Sequence, residues 1–295
     1  MASPVKSLVH DDERYQKAFE TYLKLSNKHL VEEEFFNNTL PDILDSIGNG
    51  KPQINVIGVG SGEGINDMKM LSQLRRKYPG LLLETEVVEP SKRQINKFRE
   101  KAANSSDLDP IKFIWNQMTA SEFEKQWRLR KINKKVDFVH MLNMLYYAED
   151  PGATIDFFQS LLDKNGKLLI SLVTNESGWM ILWRTFHREL RPQKTDVSFL
   201  NTAHIKKLLD ERGVSYQTYN LLPEFDITAC FTEGDETGEL LLDFLTETVN
   251  FSKTAPPELK HRVLKLLRDN QCSVERDGKV LFSIEQEIII LEGLG

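Results

Sequence analysis

The chain has 295 residues, is 40% hydrophobic and 28% charged, and carries a formal net charge of -6. A chain of this length can bury a sizeable core without disulfide or metal staples, as one large α/β domain or as a core domain with an added lobe. The acidic balance argues against a broad nucleic-acid surface, and no apolar run approaches the roughly 20 residues of a membrane span.

Residues 11–47 read as two helices. Tyr15, Phe19, Tyr22 and Leu23 recur at helical spacing, and a second segment carries Phe35, Leu40, Ile43 and Leu44 to a stop at Gly48, with Pro41 in a first turn. From residue 53 strands alternate with helices: strands at 53–59, 83–89, 111–115, 136–142 and 167–173, and helices at 65–77, 91–103, 121–128 and 151–163, the last closing at Asn165-Gly166. That alternation implies a mostly parallel sheet with functional residues at the carboxyl ends of its strands, where Gly60, Glu89 and Leu142 fall. Beyond residue 175 the regularity loosens. A Trp-rich helix at 178–189 and a polar break at 191–198 precede a helix at 202–212 that closes at Gly213; a strand at 214–220, a helix at 238–248 and a last strand at 284–291 follow. The chain thus divides into an N-terminal helical lid (1–50), a core (51–175) and a lobe (176–295) interleaved with the last strands of the core sheet.

The apolar run Ile54-Asn55-Val56-Ile57-Gly58-Val59 ends in Gly60-Ser61-Gly62-Glu63-Gly64, and the next apolar run, Glu86-Val87-Val88, ends in Glu89-Pro90. A strand that stops at clustered glycines brings bare backbone close to a ligand, and a carboxylate at the tip of the next strand accepts hydrogen bonds from a ribose diol. The glycines alternate one residue apart, which is neither the dinucleotide fingerprint nor a phosphate loop. They fit a nucleoside carried without phosphate. Taken alone, the loop is equally a plain strand-to-helix turn.

With those runs and Asp137-Phe138-Val139-His140-Met141-Leu142-Asn143-Met144-Leu145-Tyr146-Tyr147, the chain resembles the histamine N-methyltransferase family of S-adenosylmethionine-dependent enzymes. Ser177-Gly178-Trp179 with Trp183, Asp243-Phe244-Leu245-Thr246-Glu247-Thr248, Thr254-Ala255-Pro256-Pro257 and Gly278-Lys279-Val280-Leu281-Phe282 extend the match over nearly the whole chain. The resemblance implies an α/β fold: a Rossmann-like seven-stranded methyltransferase core with an added substrate-binding lobe, acting as a monomer on histamine or a related small amine. It implies S-adenosyl-L-methionine as cofactor, held at Gly60, Gly62, Gly64, Glu89, Gln94, Ala120 and Leu142, with Ala120 standing where the family has a serine and Ser121 beside it. Substrate walls carry over at Tyr15, Phe19, Tyr146, Tyr147, Trp179, Trp183 and Phe244. Such rings suit a flat or cationic amine, because ring faces attract positive charge.

The departures fall where the resemblance puts amine recognition. Lys28 stands in place of a glutamate, with Glu32, Glu33 and Glu34 the nearest acids; Asn143 replaces a glutamine, and Ser283-Ile284 replaces an asparagine pair. A lysine repels a protonated amine, and the Ile284 side chain forms no hydrogen bond. Two alternatives to histamine methylation follow: an acceptor bearing a carboxylate, for which Lys28 is an anchor, or a cofactor-binding protein without turnover.

Methyl transfer from a sulfonium to nitrogen needs alignment and a neutral nucleophile, so no catalytic side chain is expected. His140 lies two residues deeper than Leu142 on its strand and reads as structural, and His29 as a surface helix residue. Cys230 and Cys272 are isolated and lack ligand spacing, which argues against a metal site and fits a reducing compartment. Without an apolar signal core at the N-terminus, the cytoplasm is the default location. The basic stretch Arg128–Lys135 reads as a solvated helix end and loop, with no nucleic-acid or membrane partner.

Overall fold

A computed structural model describes residues 6–8, 11–190 and 199–293. Among them are ten strands: β1 (Gln53–Val59), β2 (Leu82–Val88), β3 (Ile111–Asn116), β4 (Val136–Leu142), β5 (Leu162–Val173), β6 (Tyr216–Leu221), β7 (Glu224–Asp226), β8 (Ser273–Arg276), β9 (Lys279–Ser283) and β10 (Gln286–Glu292). No helix of the described residues is long and apolar enough to cross a membrane. The chain separates into two compact units, one of Met1–Val31, Val173–Asn201 and Asn220–Gln286, the other of Glu32–Leu172, Thr202–Tyr219 and Glu287–Gly295.

The second unit is built on a seven-stranded sheet in the order β3-β2-β1-β4-β5-β10-β6. β1 pairs in parallel with β2 on one side and β4 on the other, β2 in parallel with β3, and β4 in parallel with β5. These central strands are covered on both faces, which is why β1 and β2 each end in four consecutive buried residues and β4 opens with six. The chain runs outward from β1 through β2 to β3, then returns to place β4 on the far side of β1. That reversal opens a crevice at the carboxyl ends of β1 and β4, the place where open α/β sheets bind ligands. The α/β class and mostly parallel sheet expected from the alternation are what the structure has.

The first unit holds an antiparallel sheet in the order β7-β9-β8, with Phe225 of β7 opposite Phe282 of β9. Helices Asp12–Leu25, Gly178–Leu190, Glu236–Thr246 and Pro257–Arg268 contribute to one apolar core that includes Leu8, Tyr22, Leu182, Phe186, Leu245 and Val263.

Several boundaries differ from the sequence reading. The N-terminal segment forms three helices, Asp12–Leu25, Lys28–Asn38 and Leu40–Ile43: Ser26 turns extended and bridges to Phe225 between the first two, and the second is interrupted at Thr39, where Pro41, which has no N–H to continue it, opens a new turn. Pro41 is in the first turn of the third, as expected. The helix read to residue 163 stops at Ser160, since Leu162 already pairs with Val136 at the start of β5. The helix read as 238–248 is Glu236–Thr246, ended by Glu247 in the left-handed region at φ 48°. The last strand begins at Gln286 rather than 284, because the Ile284 N–H donates to Pro223 O. The polar break at 191–198 lies outside the described residues.

Candidate functional site

The three glycines after β1 have left-handed backbone for three separate reasons. Gly60, at φ 68°, has no room for a side chain: a Cβ there would lie 2.5 Å from Cβ of Met144. Gly62, at φ 55°, faces open space, and its N–H donates to Glu89 Oε2 at 2.9 Å. Gly64, at φ 73°, is the N-cap of helix Ile65–Lys77 and lies directly against the Phe98 ring. An L-residue in this region costs roughly 1–2 kcal/mol, so the backbone geometry itself calls for glycine.

Glu89, at the end of β2, is 7% exposed. Its other oxygen, Oε1, accepts the Ser91 N–H at 2.8 Å. Two backbone donors thus fix the carboxylate while each oxygen keeps a lone pair for a further donor. Ser91 then caps helix Lys92–Ala103 by accepting the Gln94 N–H, which sets Gln94 in the first turn. Oxygen Oε1 of Gln94 is buried and has no hydrogen-bond partner. A buried acceptor left without a donor costs of the order of 1–3 kcal/mol and invites one from a ligand.

The remaining walls come from helix starts and from the end of β4. Thr119 and Glu122 form a capping box at the head of helix Ala120–Leu129, and Asp150 caps helix Pro151–Ser160 by accepting the Ala153 N–H at 2.9 Å. Asn143 follows β4 at φ 52°, its N–H donating to Ser171 O at 2.9 Å. Together these residues enclose a cavity of about 540 Å³, within the range of small-molecule sites. Of the expected residues it brings together Gly60, Gly62, Glu89, Gln94, Ala120, Asn143 and Tyr147. Gly64 and Leu142 are not among its lining residues, nor is Tyr146, which is half-buried in the turn Leu145–Tyr147; Tyr147 is 87% exposed. The sequence reading missed Met144, whose signal was a bulky side chain next to an obligate glycine, and the acids Glu124, Glu149 and Asp150. With Glu89, those acids make a lining that, among the described residues, contains no Lys, Arg or His.

A second set of expected residues meets in the first unit. Tyr15 stacks on Phe19, Phe19 lies 5.9 Å from Phe244, and Trp179 meets Phe244 edge-on at 5.4 Å. Tyr22 sits at the centre, 4.7 Å from Phe244 and 5.1 Å from Phe225, and Phe225 lies 5.3 Å from Phe282. Tyr22, Phe225 and Phe282 were not among the expected wall residues. Tyr15 and Phe19 remain 42% and 37% exposed, whereas Trp183 and Ile284 are buried, Ile284 within the apolar core.

One ion pair holds the helix that carries Tyr15, Phe19 and Tyr22. Asp243 is fully buried; it pairs with Arg14 and accepts the N–H groups of Asn250 and Phe251, each at 2.8 Å. Burial pushes its carboxyl above the usual range, against the pull of Arg14 and those two amides. Lys28 is the half-buried first residue of helix Lys28–Asn38, its N–H donating to Ser26 Oγ at 3.1 Å. Further along that helix Glu32 accepts from Asn66 Nδ2 at 3.3 Å and Glu33 pairs with Lys69 at 2.7 Å.

Comparison with known proteins gives the family. The methyltransferase domain family matches residues 28–218. The histamine N-methyltransferase of Danio rerio is 52% identical over 293 residues, covering 99% of this chain and all of that protein. The chain belongs to the histamine N-methyltransferase family. The Cavia porcellus and Mus musculus histamine N-methyltransferases are 42% and 41% identical, again over 99% of this chain and essentially all of theirs. Two solved structures share the fold at low identity, each with a TM-score of 0.51. The YcgJ protein of Bacillus subtilis is 12% identical, with 88% of this chain and all of that one covered. A loganic acid methyltransferase with SAH is 7% identical, with 91% and 96% covered. The protein is an S-adenosylmethionine-dependent methyltransferase by family.

Proposed function

We propose that the protein N-methylates histamine, or a small amine closely like it, with S-adenosyl-L-methionine as donor. Glu89 carries this reading: a carboxylate fixed by two backbone amides at the end of β2, next to bare backbone at Gly60 and Gly62, in a cavity where Gln94 Oε1 has no partner. These residues fit the adenosine end of the donor, with the Glu89 oxygens accepting from ribose hydroxyls, Gln94 Oε1 from a nucleoside donor group, and Ala120 with Ser121 flanking the base. When bound, the donor supplies an electrophilic methyl on a positively charged sulfur. The cavity's acidic lining, free of Lys, Arg and His among the described residues, suits that charge.

On the acceptor side the rings of Tyr15, Phe19, Tyr22, Trp179 and Phe244 offer flat apolar walls and, through their faces, about 0.5–2 kcal/mol of attraction for a cation. The acceptor nitrogen would react through a neutral lone pair, a C–N bond replacing the S–C bond of the donor, and the methylated product would release a proton to water, from the other ring nitrogen where the acceptor is an imidazole. No side chain needs to act as nucleophile. Alignment alone supplies of the order of 7–11 kcal/mol of such a barrier. Full-length identity to enzymes named for histamine supports that acceptor over a carboxylate-bearing one. The reading extends to a monomer working in a reducing, cytoplasmic setting, which the two free, buried cysteines support.

The test is to incubate the protein with labelled donor and a panel of histamine, other biogenic amines and imidazole acids, and to identify the product by mass. Methylated histamine as the preferred product is expected. Preference for an imidazole acid would move the assignment to the carboxylate reading, and donor binding with no product across the panel would overturn turnover altogether.

A further inference from the structure

A buried polar contact beneath the glycine loop belongs neither to the cavity lining nor to the aromatic cluster. Asp67, in the first turn of helix Ile65–Lys77, is 4% exposed, and His140 on β4 is 2% exposed. Ser61 Oγ donates to Asp67 Oδ1 at 2.6 Å, and His140 Nε2 lies 3.6 Å from the same oxygen. Gly58 makes this possible. It pairs with His140 in the β1–β4 register, and a Cβ on it would lie 2.6 Å from Ser61 Oγ and 2.8 Å from His140 Cε1, and would press on Asp67 Oδ1.

Ser61 stands between Gly60 and Gly62, the two glycines that line the cavity, and the Gly62 N–H is one of the two donors that fix Glu89. Clustered glycines have the largest conformational freedom of any sequence, and a ligand that had to order them on arrival would bind more weakly by the cost of that ordering. A short hydrogen bond from the one hydroxyl in the loop to a carboxylate anchored in the next helix removes that freedom in advance. Burial raises the Asp67 carboxyl above its ordinary range and lowers the His140 imidazole, so both groups are held in their places at an electrostatic cost.

We propose that Asp67 is a positioning residue for the methyl donor: acting through Ser61, it holds the Gly60–Gly62 backbone and, through the Gly62 amide, the Glu89 carboxylate in the geometry that binds adenosine. This rests on the cofactor reading given above. Donor and demethylated-product affinities are to be measured by calorimetry, with melting temperatures and steady-state kinetics, on the wild type, Ser61→Ala, Asp67→Asn and the double variant. Loss of one hydrogen bond corresponds to roughly two- to tenfold in affinity. Ser61→Ala should weaken both ligands by about that factor and raise the donor KM in step, with kcat and acceptor KM little changed and a melting temperature lowered by some degrees, since the buried Asp67 Oδ1 loses its donor. Asp67→Asn, which keeps an acceptor oxygen in place, should lose less, and the double variant should bind no worse than Ser61→Ala, because the two changes break one contact. Unchanged affinity in Ser61→Ala, with or without a lower melting temperature, overturns the proposal while leaving the cofactor reading intact, as do losses that multiply in the double variant. A folded wild type that binds neither ligand overturns both.

Discussion

Replacing Gly64 and Gly62 by alanine, separately, isolates two costs that the sequence writes with the same letter. Both residues have left-handed backbone, at φ 73° and 55°, so each alanine incurs about 1–2 kcal/mol of backbone strain. Only at Gly64 does the new methyl meet anything: it lands inside the contact distance of the Phe98 ring, which is fully buried, whereas at Gly62 nothing lies within 4 Å. Overpacking of a filled site adds roughly 1–3 kcal/mol, which brings Gly64→Ala to about 2–5 kcal/mol in total. At roughly 2–4 °C per kcal/mol for large single domains, Gly64→Ala should lower the melting temperature by about 4–20 °C and Gly62→Ala by about 2–8 °C. Calorimetric melts with and without the demethylated donor separate stability from binding. Gly64→Ala should still gain stability when the ligand is added, and Gly62→Ala, whose amide holds Glu89, should gain less. Equal destabilisation in the two variants would refute the reasoning, since Phe98 would then be yielding at no cost.

Three further outcomes are expected. Lys28→Glu should raise histamine kcat/KM at least tenfold in a labelled-donor assay, a change of about 1.4 kcal/mol, and an acid in the first turn of helix Lys28–Asn38, which now has none, should add about 0.3–1 kcal/mol of stability; unchanged turnover would show that this position does not meet the amine. Arg14→Ala leaves Asp243 buried without its cation and should destabilise by about 3–5 kcal/mol near neutral pH. Because the folded Asp243 carboxyl titrates above its unfolded value, its contribution is complete below the unfolded pKa and fades as pH rises through the folded one; loss of Arg14 raises the folded value further. The penalty, read from urea midpoints, should therefore be larger at pH 8 than at pH 5, and a penalty that does not change with pH would count against this account. Burial pushes the Cys272 thiol up to about 12 and the Cys230 thiol higher still, so neither should react with iodoacetamide at neutral pH until the protein is unfolded, as intact-mass measurement would show.

The half of the fold that positions Glu89 was legible because its signals are local. A β-branched run that stops at glycines, and a second that stops at an acid, specify strand ends without reference to the rest of the chain, and β1 and β2 end within a residue of where periodicity put them. The aromatic cluster was legible only in part, because Phe225 and Phe282 owe their places to pairing between short strands far apart in sequence. Three residues, Glu224–Asp226, carry no period of their own. Helix Pro257–Arg268 did carry a signal, with Pro257 at its first position and Leu259, Val263 and Leu267 buried four residues apart. Its start is masked by two consecutive prolines, Pro256-Pro257, which read as a turn as readily as a helix start, with no side-chain cap to decide between them. The left-handed Asn143 carried only a weak local signal: asparagine is among the few residues that tolerate positive φ, but the apolar run of β4 leads into it with no turn residue beside it.

The departures expected from the family pattern, at Lys28, Asn143 and Ile284, differ in kind from the residues of the proposed donor site. The residues read as donor-binding depend on main chain for their placement: the Gly62 and Ser91 amides fix the Glu89 carboxylate, and Gly60 is glycine because Met144 leaves no space for a Cβ. A substitution there disturbs the loop, the carboxylate and the buried Ser61–Asp67 contact together. Lys28, Asn143 and Ile284 act, if on the acceptor, through side chains alone, and each sits where the backbone tolerates the change. Lys28 is half-exposed at a helix start, Asn143 has one of the few side chains at ease at φ 52°, and Ile284 is absorbed by an apolar core. On the proposed reading, acceptor preference can shift by side-chain exchange at little cost to folding, whereas a change in the glycine loop carries a folding cost. For that reason the amine panel, more than any measurement on the cofactor, is the experiment that separates this chain from its relatives.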